Sequence, residues 1–308
     1  MSDVELVAIT DRSGFDESCH HGRVVAVDET GSVVTRIGDI DAPIYPRSSN
    51  KPMQADAMIR LGWQPTPEQL ALACASHDGT ERHVTVVRST LDEADLAPDD
   101  LQNTPDLPLD RASAQAVLRA GGSAVPLLMN CSGKHAGMIA TCRVNGWPID
   151  DYLDQGHPLQ RGITERVREL AGEVVHIGVD GCGAPAHVMS LLGLTRAFRT
   201  LAAARGPVWS AMTAHPALVG GDDRDVTRLM RAVPELMSKD GAEGVFAAAL
   251  PDGRAAAVKI ADGNKRAAGV VVAAALTTVG VDVDPRAFGP PILGHGEPVG
   301  RVRPTFGV

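Results

Sequence analysis

The chain is poor in aromatic side chains: three Trp, two Tyr and five Phe among 308 residues. Base-stacking platforms for single-stranded nucleic acid need more than that. It is also short of positive charge, with 29 Lys and Arg against 38 Asp and Glu, a formal net charge of -9. An acidic surface repels phosphate backbones, and no basic cluster relieves it locally, so nucleic acid is excluded as a partner. Long apolar runs are missing too. The longest, Ala267 to Val279, is too short to span a bilayer and contains Gly and Thr, so no membrane partner is expected. Met1 to Arg12 holds early acids and no basic, apolar leader, so the expected location is the cytoplasm. Five cysteines are too few, and odd in number, for a disulfide framework in a chain this long. They are read as reduced thiols, some available to a metal.

What is present is an ordinary globular composition, 44% hydrophobic and 22% charged. Residues 5 to 38 are strand-like. Val24 to Val27 run into Asp28-Glu29-Thr30-Gly31, a turn, and then into Val33, Val34 and Ile37, which predicts a hairpin. From 51 to about 240 the pattern is mainly helical. Thr66-Pro67-Glu68-Gln69 opens one helix with a capping threonine and a first-turn proline. Asp110 to Ala120, Gly162 to Ala171 and Ala186 to Ala204 are predicted as further helices. Strand signals return late, where Gly244 to Leu250 and Arg254 to Ile260 flank the turn Pro251-Asp252-Gly253. Lys265 to Val279 reads as a buried helix, and the Pro-rich tail from 285 is expected to be irregular. The predicted class is α+β, with residues 1–308 as one domain. Strands from about 1–50 and 240–308 join in one antiparallel sheet, and a helical lobe spans about 51–239. A cleft between lobes is the natural place for a small-molecule site.

Arg47-Ser48-Ser49-Asn50-Lys51-Pro52 contains S-x-x-K. At a spacing of three, one helical turn brings Ser48 and Lys51 to one face, where a neutral amine can take the hydroxyl proton. Pro52 disfavours helical geometry at Lys51, so the pair is expected in the opening turn of a helix running through Met53 to Leu61. Ser49 and Asn50 are read as polar filler. Ala73-Cys74-Ala75-Ser76-His77-Asp78-Gly79 offers a second hydroxyl, Ser76, at a helix end. Asn130-Cys131-Ser132-Gly133-Lys134-His135 and Gly178-Val179-Asp180-Gly181-Cys182-Gly183 place two cysteines on glycine-bearing turns. They are either two buried apolar thiols or the sulfur ligands of a zinc ion, for which ligand chemistry alone adds His135. A lysine ligand would first have to lose its proton. Lys259 sits on the second strand of the late hairpin, where a lone lysine is usually solvated.

Together these motifs, with Glu17-Ser18-Cys19-His20-His21-Gly22, His215-Pro216 and Gly241 to Gly244, resemble the L-asparaginase II family, the rhizobial-type or class 3 asparaginases. The resemblance runs through most of the chain. It implies a fold similar to serine β-lactamases and bacterial glutaminases, and the release of aspartate and ammonia from L-asparagine. It implies that Ser48 pairs with Lys51 and Ser76 with Lys259. It further implies one zinc per chain on Cys131, Lys134 and Cys182, with Asp180 holding a zinc-bound water, so that Lys134 replaces His135 as ligand. Arg47, His135 and Asp180 then become substrate-pocket residues, and a homodimer is the expected assembly. Glutamine hydrolysis and a β-lactamase-like acyl-serine hydrolase remain alternatives, as does a non-catalytic zinc-binding protein. Which serine attacks first is left open.

Overall fold

The computed structural model describes residues 4–307. The first three residues of the N-terminal reading lie outside it. The chain opens with β1 (Glu5–Arg12), β2 (Phe15–Val27) and β3 (Val33–Ile37), followed by the short β4 (Pro43–Ile44). The predicted hairpin is present, with Val24 opposite Ile37 and Val27 opposite Val33. Its turn is held by the Asp28 carboxylate, which accepts from the backbone N–H groups of Thr30 and Ser32. The helical region holds α1 (Lys51–Arg60), α2 (Pro67–Ala73), α3 (Glu81–Glu93), α4 (Arg111–Arg119), α5 (Ser132–Asn145) and α6 (Pro158–Ala171). Thr66 caps α2 as expected. Its hydroxyl accepts from the Gln69 N–H at 3.3 Å, and the Gln69 side chain accepts from the Thr66 N–H at 2.8 Å.

Ala186 to Ala204 is not one helix. After β5 (His176–Val179), residues Pro185–Ser190 form a fully buried strand, β6, and only then does α7 (Leu191–Ala203) begin. Ser190 makes the break: its hydroxyl accepts from the Gly193 N–H at 3.0 Å as an N-cap. Next come α8 (Pro207–Ala214), α9 (Pro216–Val219), α10 (Asp225–Ala232) and a strand missing from the sequence reading, β7 (Met237–Asp240). The late hairpin is β8 (Val245–Ala249) and β9 (Ala255–Ile260), and the predicted buried helix is α11 (Ala268–Thr278). The tail is more regular than expected. It forms β10 (Ile292–Gly294), β11 (Glu297–Gly300) and β12 (Val302–Pro304), and β12 pairs with β1. Proline is tolerated there because β12 lies at the edge of the sheet.

The large sheet runs β12-β1-β2-β9-β8-β7, antiparallel at each pairing, with β3 also on β2. It therefore joins strands from both ends of the chain. Helices α7 and α11 pack on it. In β8 and β9 nearly every residue is buried, and alanines face one another at Ala247–Ala257, Ala248–Ala256 and Ala249–Ala255. A strand covered on both faces needs no polar alternation, and small side chains let helices approach closely. The edge strand β7 borders the turn that carries Ser48. No helix among the described residues is long and apolar enough to cross a membrane.

Candidate active site

Three lysines are among the largest fully buried side chains: Lys51, Lys134 and Lys239. A buried ammonium is costly unless partnered, and each of these has partners. Lys51 is the first residue of α1, with Pro52 tolerated in that first turn. Its Nζ donates to the Ala75 carbonyl at 2.5 Å, to Ser76 Oγ at 3.1 Å and to Cys131 Sγ at 3.1 Å. One amine thus joins the S-x-x-K turn, the Ser76 turn and the first cysteine.

Ser48 lies in a 3₁₀ turn, Arg47–Asn50, that leads into α1. Arg47 has a φ of 53°. For a residue with a Cβ this left-handed geometry costs about 1–3 kcal/mol, and it marks a turn fixed by its surroundings. Ser49 and Asn50 are what fix it, so they are not filler. Ser49 Oγ donates to the Lys239 carbonyl on β7 at 3.1 Å. Asn50 Nδ2 lies 2.9 Å from His187 Nδ1, and His187 Nε2 lies 2.9 Å from Thr164 Oγ1. Gly241, just past β7, leaves no room for a Cβ against the Pro46 carbonyl. The turn is therefore packed onto the sheet edge, while Ser48 itself stays half-buried. Arg47 reaches across to Asp180. Its Nε and Nη2 lie 2.9 and 2.8 Å from Asp180 Oδ1. These two expected pocket residues face each other as an ion pair of opposite signs.

Cys131, Lys134, His135 and Cys182 also come together. Lys134 Nζ donates to Cys182 Sγ at 3.2 Å. The adjoining Cys131 side chain pulls the Cys182 thiol far below its usual range. The positive Lys134 helps, and burial opposes. For Lys134, burial works against the charge, yet Cys182, Cys131 and Asp180 raise it. His135 is fully buried, with Nδ1 at 2.7 Å from the Tyr152 hydroxyl and no partner at Nε2. Burial holds its imidazole neutral, lowering it to about 4. Among the described residues no group of three or more His, Cys, Asp or Glu side chains is arranged to hold a metal ion. Two sulfurs, an amine and an orphaned imidazole nitrogen are nonetheless a donor set that suits zinc.

The expected pairing of Ser76 with Lys259 is not formed. The lysine on Ser76 is Lys51. Lys259 Nζ donates instead to the carbonyls of Glu243, at 2.5 Å, and Ile260, at 2.7 Å, and so fastens the loop after β7. The second lysine beside the site is Lys239, which the sequence reading missed. It is fully buried, and its Nζ donates to Asp240 Oδ1 and to the Asp240 carbonyl, both at 2.6 Å. Burial lowers it to about 8, and the nearby Lys51 charge pushes the same way. The signal was there in Met237-Ser238-Lys239-Asp240-Gly241, a lysine in a short strand closed by a glycine.

No curated protein sequence matches the chain. Among solved structures, a β-lactamase from Mycobacterium bovis is 14% identical, with 84% of this chain and 93% of that one covered, at a TM-score of 0.38. A candidate β-lactamase from Bacteroides dorei is 13% identical, with 83% and 93% covered, at 0.35. At scores this low the likeness carries no weight for substrate or mechanism. The family profile described as L-asparaginase II, in contrast, matches residues 8–304, nearly the whole chain. The chain belongs to the L-asparaginase II family, and with it to the amidohydrolases.

Proposed function

We propose that the protein hydrolyses the side-chain amide of L-asparagine to L-aspartate and ammonia, with a serine nucleophile served by Lys51. The observation that carries this reading is the buried Lys51 amine, 3.1 Å from Ser76 Oγ and one turn beyond Ser48. Ser48 Oγ attacks the amide carbon, and its proton passes to Lys51. As the C–N bond breaks, the departing nitrogen takes a proton from Ser76, which Lys51 replaces. Water then attacks the acyl ester, aspartate leaves, and Ser48 regains its proton. The Arg47–Asp180 pair offers one charge of each sign beside Ser48, matched to the substrate's α-carboxylate and α-ammonium.

Zinc suits Cys131, Cys182 and Lys134, with His135 as the other nitrogen donor within the cluster. When bound it would supply positive charge beside Asp180 to orient the substrate. Five free thiols fit a reducing compartment such as the cytoplasm, and a homodimer is the assembly we expect.

The test is ammonia release from asparagine by purified protein. We expect Ser48→Ala and Lys51→Met to lower turnover by about 10⁴ or more while circular dichroism stays unchanged. Near-normal turnover in Ser48→Ala, with loss in Ser76→Ala, would transfer the nucleophile's role to Ser76. Normal turnover in both would overturn serine catalysis.

A further inference from the structure

Gly220 and Gly221 run beside the Ser76 turn. Ser76 N–H donates to the Val219 carbonyl at 3.1 Å, and Asp78 N–H donates to the Gly220 carbonyl at 2.7 Å. The Ser76 turn thus lies along this glycine segment. A Cβ on Gly221 would overlap the Asp78 carboxylate. That carboxylate is the start of a charged chain. Arg224 Nη1 donates to Asp78 Oδ1 at 3.0 Å, and Nη2 donates to Asp240 Oδ2 at 2.6 Å. Asp240 Oδ1 in turn accepts from Lys239 Nζ. The signs alternate from the turn two residues past Ser76, through Arg224 ahead of α10, to the lysine on β7.

We propose that Arg224 is a positioning residue: a two-armed clamp that holds the Ser76 turn and the Lys239 strand at a fixed separation. The proposal rests on the amide-hydrolysis reading for its kinetic part. A planar guanidinium can bond two carboxylates in two directions, whereas an ammonium is a point charge. The clamp also has an electrical consequence. The groups acting on Lys239 are Asp240 on its own strand, Lys51 from α1 and Arg224 ahead of α10. Cys74, at the end of α2, responds to the Lys239 charge, and Lys265, ahead of α11, acts on Asp240. Arg224 pushes Lys239 toward its neutral form. Removing that positive charge makes Lys239 hold its proton to higher pH.

Two variants of the full chain separate placement from charge. Arg224→Met removes both arms and the charge. Arg224→Lys keeps the charge and loses the fork. Each is assayed for ammonia release from asparagine, and Lys239 is titrated by NMR in protein carrying ¹⁵N-lysine, with Lys239→Met assigning the signal. In Arg224→Met we expect kcat to fall by between about tenfold and 100-fold with KM within about twofold. Lys239 should titrate at higher pH than in the wild type. Arg224→Lys should lose kcat too, yet leave the Lys239 titration near the wild-type position. Wild-type kcat in Arg224→Met overturns the clamp. So does a loss of kcat that tracks lost stability while the Lys239 titration stays fixed in both variants. Should the wild type release no ammonia, the reaction reading fails, and the NMR titration still decides whether Arg224 governs Lys239.

Discussion

Replacing Lys239 with Met changes how stability depends on pH, and the size of the change follows from the site. The Lys239 side chain is fully buried, and it is lowered from an ordinary 10.5 to about 8. Burial is the largest cause. Lys51 and Arg224 add to it, and Asp240 opposes. At about 1.4 kcal/mol per pH unit, keeping this ammonium protonated inside the fold costs about 3 kcal/mol below pH 8. The unfolded chain keeps the proton up to about pH 10.5, while the folded chain releases it near 8. Between those values the unfolded state binds more protons, so wild-type stability gains from this group as pH rises. Methionine has no proton to lose, and its variant lacks the gain. The two proteins would be unfolded in urea at intervals from pH 7.5 to 10.5, followed by fluorescence of Trp63, Trp147 and Trp209. The stability difference should move in favour of the wild type by about 3 kcal/mol across the window. The starting offset at pH 7.5 is not the test, because Met also leaves Asp240 with Arg224 as its remaining ion-pair partner. Parallel stability curves would refute the argument, since they would mean that Lys239 titrates alike in both states.

Two further outcomes concern other parts of the site. Cys131→Ala and Cys182→Ala should each lose zinc, from about one per chain in protein purified without chelator, and weaken asparagine binding more than they slow the chemical step. Metal analysis and KM against kcat check this, and zinc-free wild type with normal affinity in both variants would leave the thiols as packing. Gly221→Ala should push the Asp78 carboxylate off Arg224 and lower kcat, with a stability loss of about 1–3 kcal/mol from the overlap, measured by urea unfolding.

Much of the sheet was legible because its turns are local. Asp28 to Gly31 and Pro251 to Gly253 each state their own geometry, and the Thr66–Gln69 capping box announces α2 within four residues. Strand β7 was not legible. It is four residues long, carries Lys-Asp instead of an apolar alternation, and follows a helical stretch. Its status as a strand comes from pairing with β8, and α8, α10 and the Ser48 turn pack against it. The same gap explains the choice of Lys259. Alternation along β9 says which residues share a face, and it does not say which strand ends up at the edge beside the Ser48 turn. Strand order settles that, and strand order is set by contacts between distant parts of the chain. Ser48, Lys51, Ser76 and the two cysteines were legible as separate motifs. The convergence of Ser76 and Cys131 on the Lys51 amine was not, because no local spacing links Lys51 to Cys131, 80 residues away.

The three buried lysines give the site its chemical logic. Each is held by a different kind of partner. Lys51 faces a hydroxyl, a carbonyl and a sulfur. Lys134 faces the sulfur of Cys182. Lys239 faces a carboxylate, which a second cation shares. A carboxylate partner favours the charged amine, so Asp240 alone would leave Lys239 firmly protonated. Burial, Lys51 and Arg224 outweigh it, and the result near pH 8 is a lysine able to change its charge close to neutrality. Lys134 has been pushed the other way, since the thiolate beside it favours the ammonium. For that amine to bind a metal, the cation must displace its proton, so zinc uptake should release protons and weaken as pH falls. Rising pH therefore favours the neutral amine at both lysines, by different routes: one becomes neutral through its surroundings, and the other becomes neutral only when a metal takes the place of its proton.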